Sequence, residues 1–74
     1  MDLSKQFGEN VRSLRSRRGL SQEGLAELSG LHRTYISGIE RGVRNPTLSI
    51  ILQIANALKV RPSELLREGT DAKE

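Results

Sequence analysis

The stretch "SQEGLAELSGLHRTYISGIERG", residues 21–42, decides how the chain folds. Ser21 is a good N-cap, and Glu23 in the following turn suits the positive end of a helix dipole. Gly24 stands where a capping box would place Glu or Gln, which weakens this helix start. Leu25, Ala26 and Leu28 mark a buried side, Gly30 breaks the segment, and a second helix runs from about Arg33 to Arg41 until Gly42 ends it. Ala26, Gly30, Ile36 and Ile39 form one pattern, with spacings of four, six and three. Two helices that cross steeply at a tight turn need a small residue where the axes meet and a turn residue tolerant of positive φ. They also need two apolar side chains gripping from the second helix. These four positions meet all three demands.

The pattern predicts a helix-turn-helix, whose second helix projects its free face into the major groove of DNA. That face carries Arg33, Thr34, Ser37 and Gly38, and a basic loop through Arg41 and Arg44 follows it. Gly38 presents no side chain to clash with a groove wall. The expectation is that a duplex covers this polar, bare surface.

Outward from this pair, the spacing predicts three more helices and no strand. The first begins near Asp2 or Ser4, either of which can cap it, carries Phe7, Val11 and Leu14 on one side, and ends at Gly19 with Leu20 folding back. Asn45-Pro46-Thr47 reads as a turn followed by an N-cap, opening a fourth helix through about Leu58. Pro62 starts a fifth through Leu65 and Leu66. The expected architecture is all-α: one five-helix domain over residues 1–68 and a frayed polar tail over 69–74.

Composition narrows the function classes. The 74 residues hold no cysteine and one histidine, His32, so neither a disulfide framework nor a clustered metal site is expected. No apolar run approaches the roughly 20 residues of a membrane span, and no N-terminal signal segment is evident, which points to the cytoplasm. The net charge of +3 lies in the first part: residues 1–44 carry eight basic against five acidic side chains, and residues 45–74 balance at four each. Such a surface attracts polyanions. Catalysis is not expected, since the histidine has no triad partner, no Gly-rich phosphate loop occurs, and the carboxylates are scattered.

The run "SQEGLAELSGLHRTYISGIERGVRNPTLSIILQIANALKV", with Arg15 upstream, resembles the Cro/C1-type helix-turn-helix family over roughly residues 7–67. The segment "RTYISGIERGVRN" is most similar to the controller proteins of restriction-modification systems. This resemblance implies a domain of the lambda-repressor type and a division of labour among its residues. Gln22, at a helix N-terminus that favours anions in any case, would hold a DNA phosphate. Arg33 can give two hydrogen bonds to a guanine edge, Thr34 can offer a methyl or a hydroxyl, and the short Ser37 reaches through water. His32, at an N-cap position, is expected near a phosphate. Tyr35 has two readings, a partly packed ring or a phenol reaching phosphate or a base step, and the resemblance favours the second. Arg41, Arg44 and Asn45 would face the sugar-phosphate backbone, with Arg44 long enough for the minor groove; the plain alternative is a solvated loop. One of Arg12, Arg17 and Arg18 would touch phosphate. Arg15 and Glu40 would form an ion pair whose role is architectural.

The fourth helix is more apolar than one core contact requires. Leu48, Ile51, Ala55 and Leu58 cluster on one side, and Ile50, Ile54 and Ala57 extend the stripe past half the circumference. With Val60, Leu65 and Leu66, the surplus suggests a two-fold interface of helices four and five, against the alternative of a monomer with a few exposed isoleucines. The expected function is that of a homodimeric transcriptional regulator that binds a palindromic operator in double-stranded DNA and needs no cofactor. By the controller resemblance it would activate, with RNA polymerase as a further partner, and at higher concentration repress its own gene. An antitoxin or phage-type repressor of the same fold is the alternative.

Overall fold

Asp2 resolves the first helix start: its carboxylate accepts the N–H groups of Ser4 at 3.1 Å and Lys5 at 3.3 Å, capping α1, Leu3–Arg17. The computed structural model describes residues 2–68, so the tail expected over 69–74 lies outside the described residues. Four further helices follow, α2 Gln22–Ser29, α3 Arg33–Glu40, α4 Leu48–Leu58 and α5 Pro62–Leu65, with no strand among the described residues. Ser21 and Thr47 act as the caps their chemistry predicts, accepting the N–H groups of Gly24 at 2.9 Å and Ile50 at 3.2 Å. Pro62 occupies the start of α5.

Each of the first four helices ends in the same return hydrogen bond, in which an N–H beyond the helix reaches the carbonyl five residues back. Leu20 returns to Arg15, Leu31 to Ala26, Val43 to Gly38 and Val60 to Ala55, at 3.0–3.1 Å. The motif requires a left-handed residue just before the donor. Gly30 and Gly42 supply it at φ +79°, where a side chain would be strained. At the end of α4 the same conformation falls on Lys59, with φ 59°.

The core joins Phe7 and Val11 of α1, Leu25 and Ala26 of α2, Ile36 and Ile39 of α3, Ile54, Ala55 and Leu58 of α4, and Leu65 of α5. α3 packs between α1 and α2, while α5 closes against α1 and α4. The α1–α3 approach is so close that a Cβ on Gly8 would overlap the carbonyl oxygen of Ile39. α5 is too short to satisfy the carbonyls at its end, and two amides from α1 do so instead. Asn10 Nδ2 donates to Leu65 O at 2.8 Å and to Arg67 O at 2.9 Å, and Gln6 Nε2 donates to Arg67 O at 2.8 Å.

Burial departs from the sequence expectation at several positions. Leu28 is 61% exposed, because the two-turn α2 buries the side centred on Leu25, Ala26 and Ser29. Ser29 tolerates burial because its hydroxyl donates to Ala26 O and accepts from Leu31 N. Leu48 is 84% exposed, since it opens α4 beyond the reach of the core. Ile54 and Leu65, expected at a dimer interface, are fully buried inside the monomer, where α5 folds back across α4. Ile50, Ala57 and Val60 are half-buried against the core, and Leu66 and Leu52 are exposed.

Candidate nucleic-acid interface

The orientation of α3, the second helix of the pair, is fixed from behind. Ile36 and Ile39 are fully buried, so the helix cannot roll without breaking the core. At its C-terminal end Glu40 is clamped by Arg15 of α1: Nε donates to one carboxylate oxygen at 2.6 Å and Nη2 to the other at 3.1 Å. The remaining guanidinium arm donates to Leu20 O at 2.7 Å. Both side chains are largely enclosed, and the hydrogen bond to Glu40 holds the Arg15 proton more tightly than in water, against the opposing effect of burial. Gln22 joins this cluster, its Nε2 donating to Glu40 Oε1 at 3.1 Å. The residue expected to grip phosphate is thus tied to the ion pair, at the N-terminus of α2.

On the outer side of α3, Arg33 and Thr34 are exposed and Ser37 is half-buried. His32 precedes the helix without a side-chain capping bond, and its ring is exposed. Tyr35 is half-buried, packs against the core, and borders a shallow depression with Leu31 and Ile50. Its ring also carries the guanidinium of Arg44, with Cζ 5.0 Å from the ring centre. Arg41, Arg44 and Asn45 are exposed in the loop that follows.

Two details of this surface go beyond the sequence reading. Gly38, expected as an open patch facing a groove, is buried, because the side chain of Arg44 lies across it. Asn45, expected to face the DNA backbone, is exposed, and its side-chain oxygen accepts a bond from the hydroxyl of Ser4 at the start of α1, which does not engage its amide N–H groups. A hint of the first lay in the sequence, since a glycine inside a helix calls for a packing reason. The Ser4–Asn45 contact spans 41 positions and no local pattern announces it.

Comparison with known proteins agrees with this geometry. Residues 11–65 match the helix-turn-helix family. The chain is 53% identical over 70 residues to the control protein C.SmaI of Serratia marcescens, covering 93% of this chain and 83% of that protein. It is 54% identical over 61 residues to the control protein C.BamHI of Bacillus amyloliquefaciens, covering 81% and 75% respectively. The crystal structure of the restriction-modification controller protein C.AhdI from Aeromonas hydrophila superimposes with a TM-score of 0.82 at 53% identity, covering 84% of this chain and 94% of that one. With the turn, the crossing and the length of the match all in agreement, the chain belongs to the Cro/C1-type helix-turn-helix family of DNA-binding transcriptional regulators.

Proposed function

We propose that this regulator acts as a controller protein on a palindromic operator, as a homodimer with α3 of each protomer in the major groove. The observation that carries the reading is the outer side of α3, where Arg33 and Thr34 stand free on a helix locked from behind by the Arg15–Glu40 pair. Arg33 reads a guanine edge, Thr34 and Ser37 contact neighbouring positions, and Gln22, His32, Tyr35, Arg41, Arg44 and Asn45 hold the sugar-phosphate backbone. The two-fold interface uses two of the apolar side chains left uncovered on α4 and just after α5, Leu52 and Leu66, beside the half-buried Ile50, Ala57 and Val60. A two-fold axis there sets the recognition helices about 34 Å apart, one turn of duplex. Binding beside a promoter activates transcription through contact with RNA polymerase, and filling a second site represses the protein's own gene. No cofactor is required.

Selection of bound sequences from random DNA, followed by titration at several salt concentrations, tests the reading. The expected result is a palindromic consensus whose affinity falls steeply with salt. A protein that protects no tract of DNA in mild salt, or that remains monomeric by sedimentation at micromolar concentration, would overturn it.

A further inference from the structure

Gly38 is an anomaly within α3. Its φ is not in the left-handed region, so no turn requires a glycine, and in a helix interior glycine is less stable than alanine. What surrounds it is specific. A Cβ added at Gly38 would lie 3.1 Å from Arg44 Cγ, 3.1 Å from Arg44 Nε and 3.5 Å from Arg44 Cδ, its three nearest neighbours. The same side chain continues until its Cζ stands 5.0 Å from the centre of the Tyr35 ring. Residues three apart in a helix are neighbours on its surface, so Gly38 and Tyr35 form one continuous flank of α3. Arg44 crosses that flank with its stem over Gly38 and its charge over the ring.

We propose that Gly38 is a positioning residue for Arg44: the missing Cβ opens a channel across α3, and Tyr35 stops the guanidinium at its end. The inference rests on the DNA-binding reading of α3 and explains how that surface is set before DNA arrives. A free arginine samples many rotamers and loses that freedom on binding, whereas a seated one has lost much of it on folding. Attraction between the guanidinium and the ring face holds the seated state. Clearance for a groove wall is a different explanation of the same glycine. The two separate cleanly, because a seat matters only while residue 44 is arginine, and clearance matters whatever residue 44 is.

Three variants decide it: Gly38→Ala, Arg44→Ala and the double variant. Without DNA, the Arg44 side-chain resonances should show ring-current shifts in the wild type that disappear in Gly38→Ala; Tyr35 is the single tyrosine, which eases the assignment. The melting temperature of Gly38→Ala should be equal to or above that of the wild type. On the selected operator, Gly38→Ala should weaken binding by about fivefold, and the double variant should bind no more weakly than Arg44→Ala. A wild-type spectrum without ring-current shifts on Arg44 would overturn the seat. So would an equal loss from Gly38→Ala in the Arg44→Ala background, which would make clearance the reason for the glycine. If the wild type binds no DNA at all, the function proposed above fails, and the spectra still decide the seat.

Discussion

Two glycines mark contacts of α3, one on the helix behind it and one within it, and their neighbours give them opposite meanings. Gly8 of α1 faces the carbonyl oxygens of Ile39 and Glu40 at the back of α3, which are backbone and cannot move. Gly38 faces Arg44, a long side chain that can swing aside. Both are buried glycines in helix interiors, and sequence alone treats them alike. The rear seam is therefore a rigid joint that creates the fold, and the front seam is an adjustable one that shapes a surface.

The largest expected effect breaks the rear seam. Gly8→Ala inserts a methyl group where no side chain can yield, so α1 and α3 must separate and the core between Phe7, Val11, Ile36 and Ile39 must open. Overpacking usually costs about 1–3 kcal/mol, and a clash with fixed backbone belongs at or above the top of that range. A small domain holds little more in reserve. Thermal denaturation should show a melting temperature lowered by tens of degrees or no cooperative transition, and a normal melting curve would show that the joint is looser than its geometry implies.

Next in size is the ion pair beside that joint. Glu40→Ala leaves the Arg15 guanidinium enclosed with only the Leu20 carbonyl as a partner, at a cost of about 3 kcal/mol. It also frees the Gln22 amide. Chemical denaturation should record the loss. Glu40→Gln should recover part of it, because a neutral amide oxygen can still accept from Arg15. The folded chain raises the Arg15 pKa above its unfolded value, so the arginine's contribution is complete at neutral pH and is lost only as the pH rises through the folded value, in strong alkali.

The front face should respond in recognition and leave stability nearly unchanged. Arg33 is exposed and has no hydrogen-bond partner within the described chain, so Arg33→Ala should leave the melting temperature within a degree or two. Discrimination at one base position per half-site should fall by about 1–3 kcal/mol, measured by competition between operator variants. A uniform loss across all sequences would assign Arg33 to phosphate and sharpen the division between the two sides of the helix.

These contrasts explain what could be read from the chain unaided. The helices and the turn were legible because their signals are local: Ser21 and Thr47 cap, Pro62 starts a helix, and Gly30 and Gly42 terminate within a few residues of the pattern they punctuate. The Ala26, Gly30, Ile36 and Ile39 spacing placed the crossing, and all three side chains besides the glycine are buried. α4 was harder, since a stripe wider than half a helix does not say which flank another element will cover. Ile54 and Leu65 are fully buried within the monomer, which removes both from any partner surface, while Leu48 and Leu52 are left outside. Gly38 is hard to place for a related reason: its neighbour is Arg44, beyond the end of the helix, and only the folded loop brings the two together.

The smallest expected effect concerns a position where glycine is missing. Lys59 holds the left-handed conformation at the end of α4, the one non-glycine residue with positive φ among those described. The return bonds from Val60 to Ala55 and from Lys59 to Asn56 fix it there. In that conformation a side chain crowds its own backbone, at a cost of about 1 kcal/mol relative to glycine. Glycine also gives the unfolded chain more freedom, which offsets part of the gain. Lys59→Gly should therefore stabilise the domain by about 0.5 kcal/mol in denaturant titration, the reverse of what glycine does in a helix interior. Destabilisation instead would mean that the lysine side chain contributes more at this corner than its backbone strain costs, and that helix termination in this fold is decided by side chains as well as by φ.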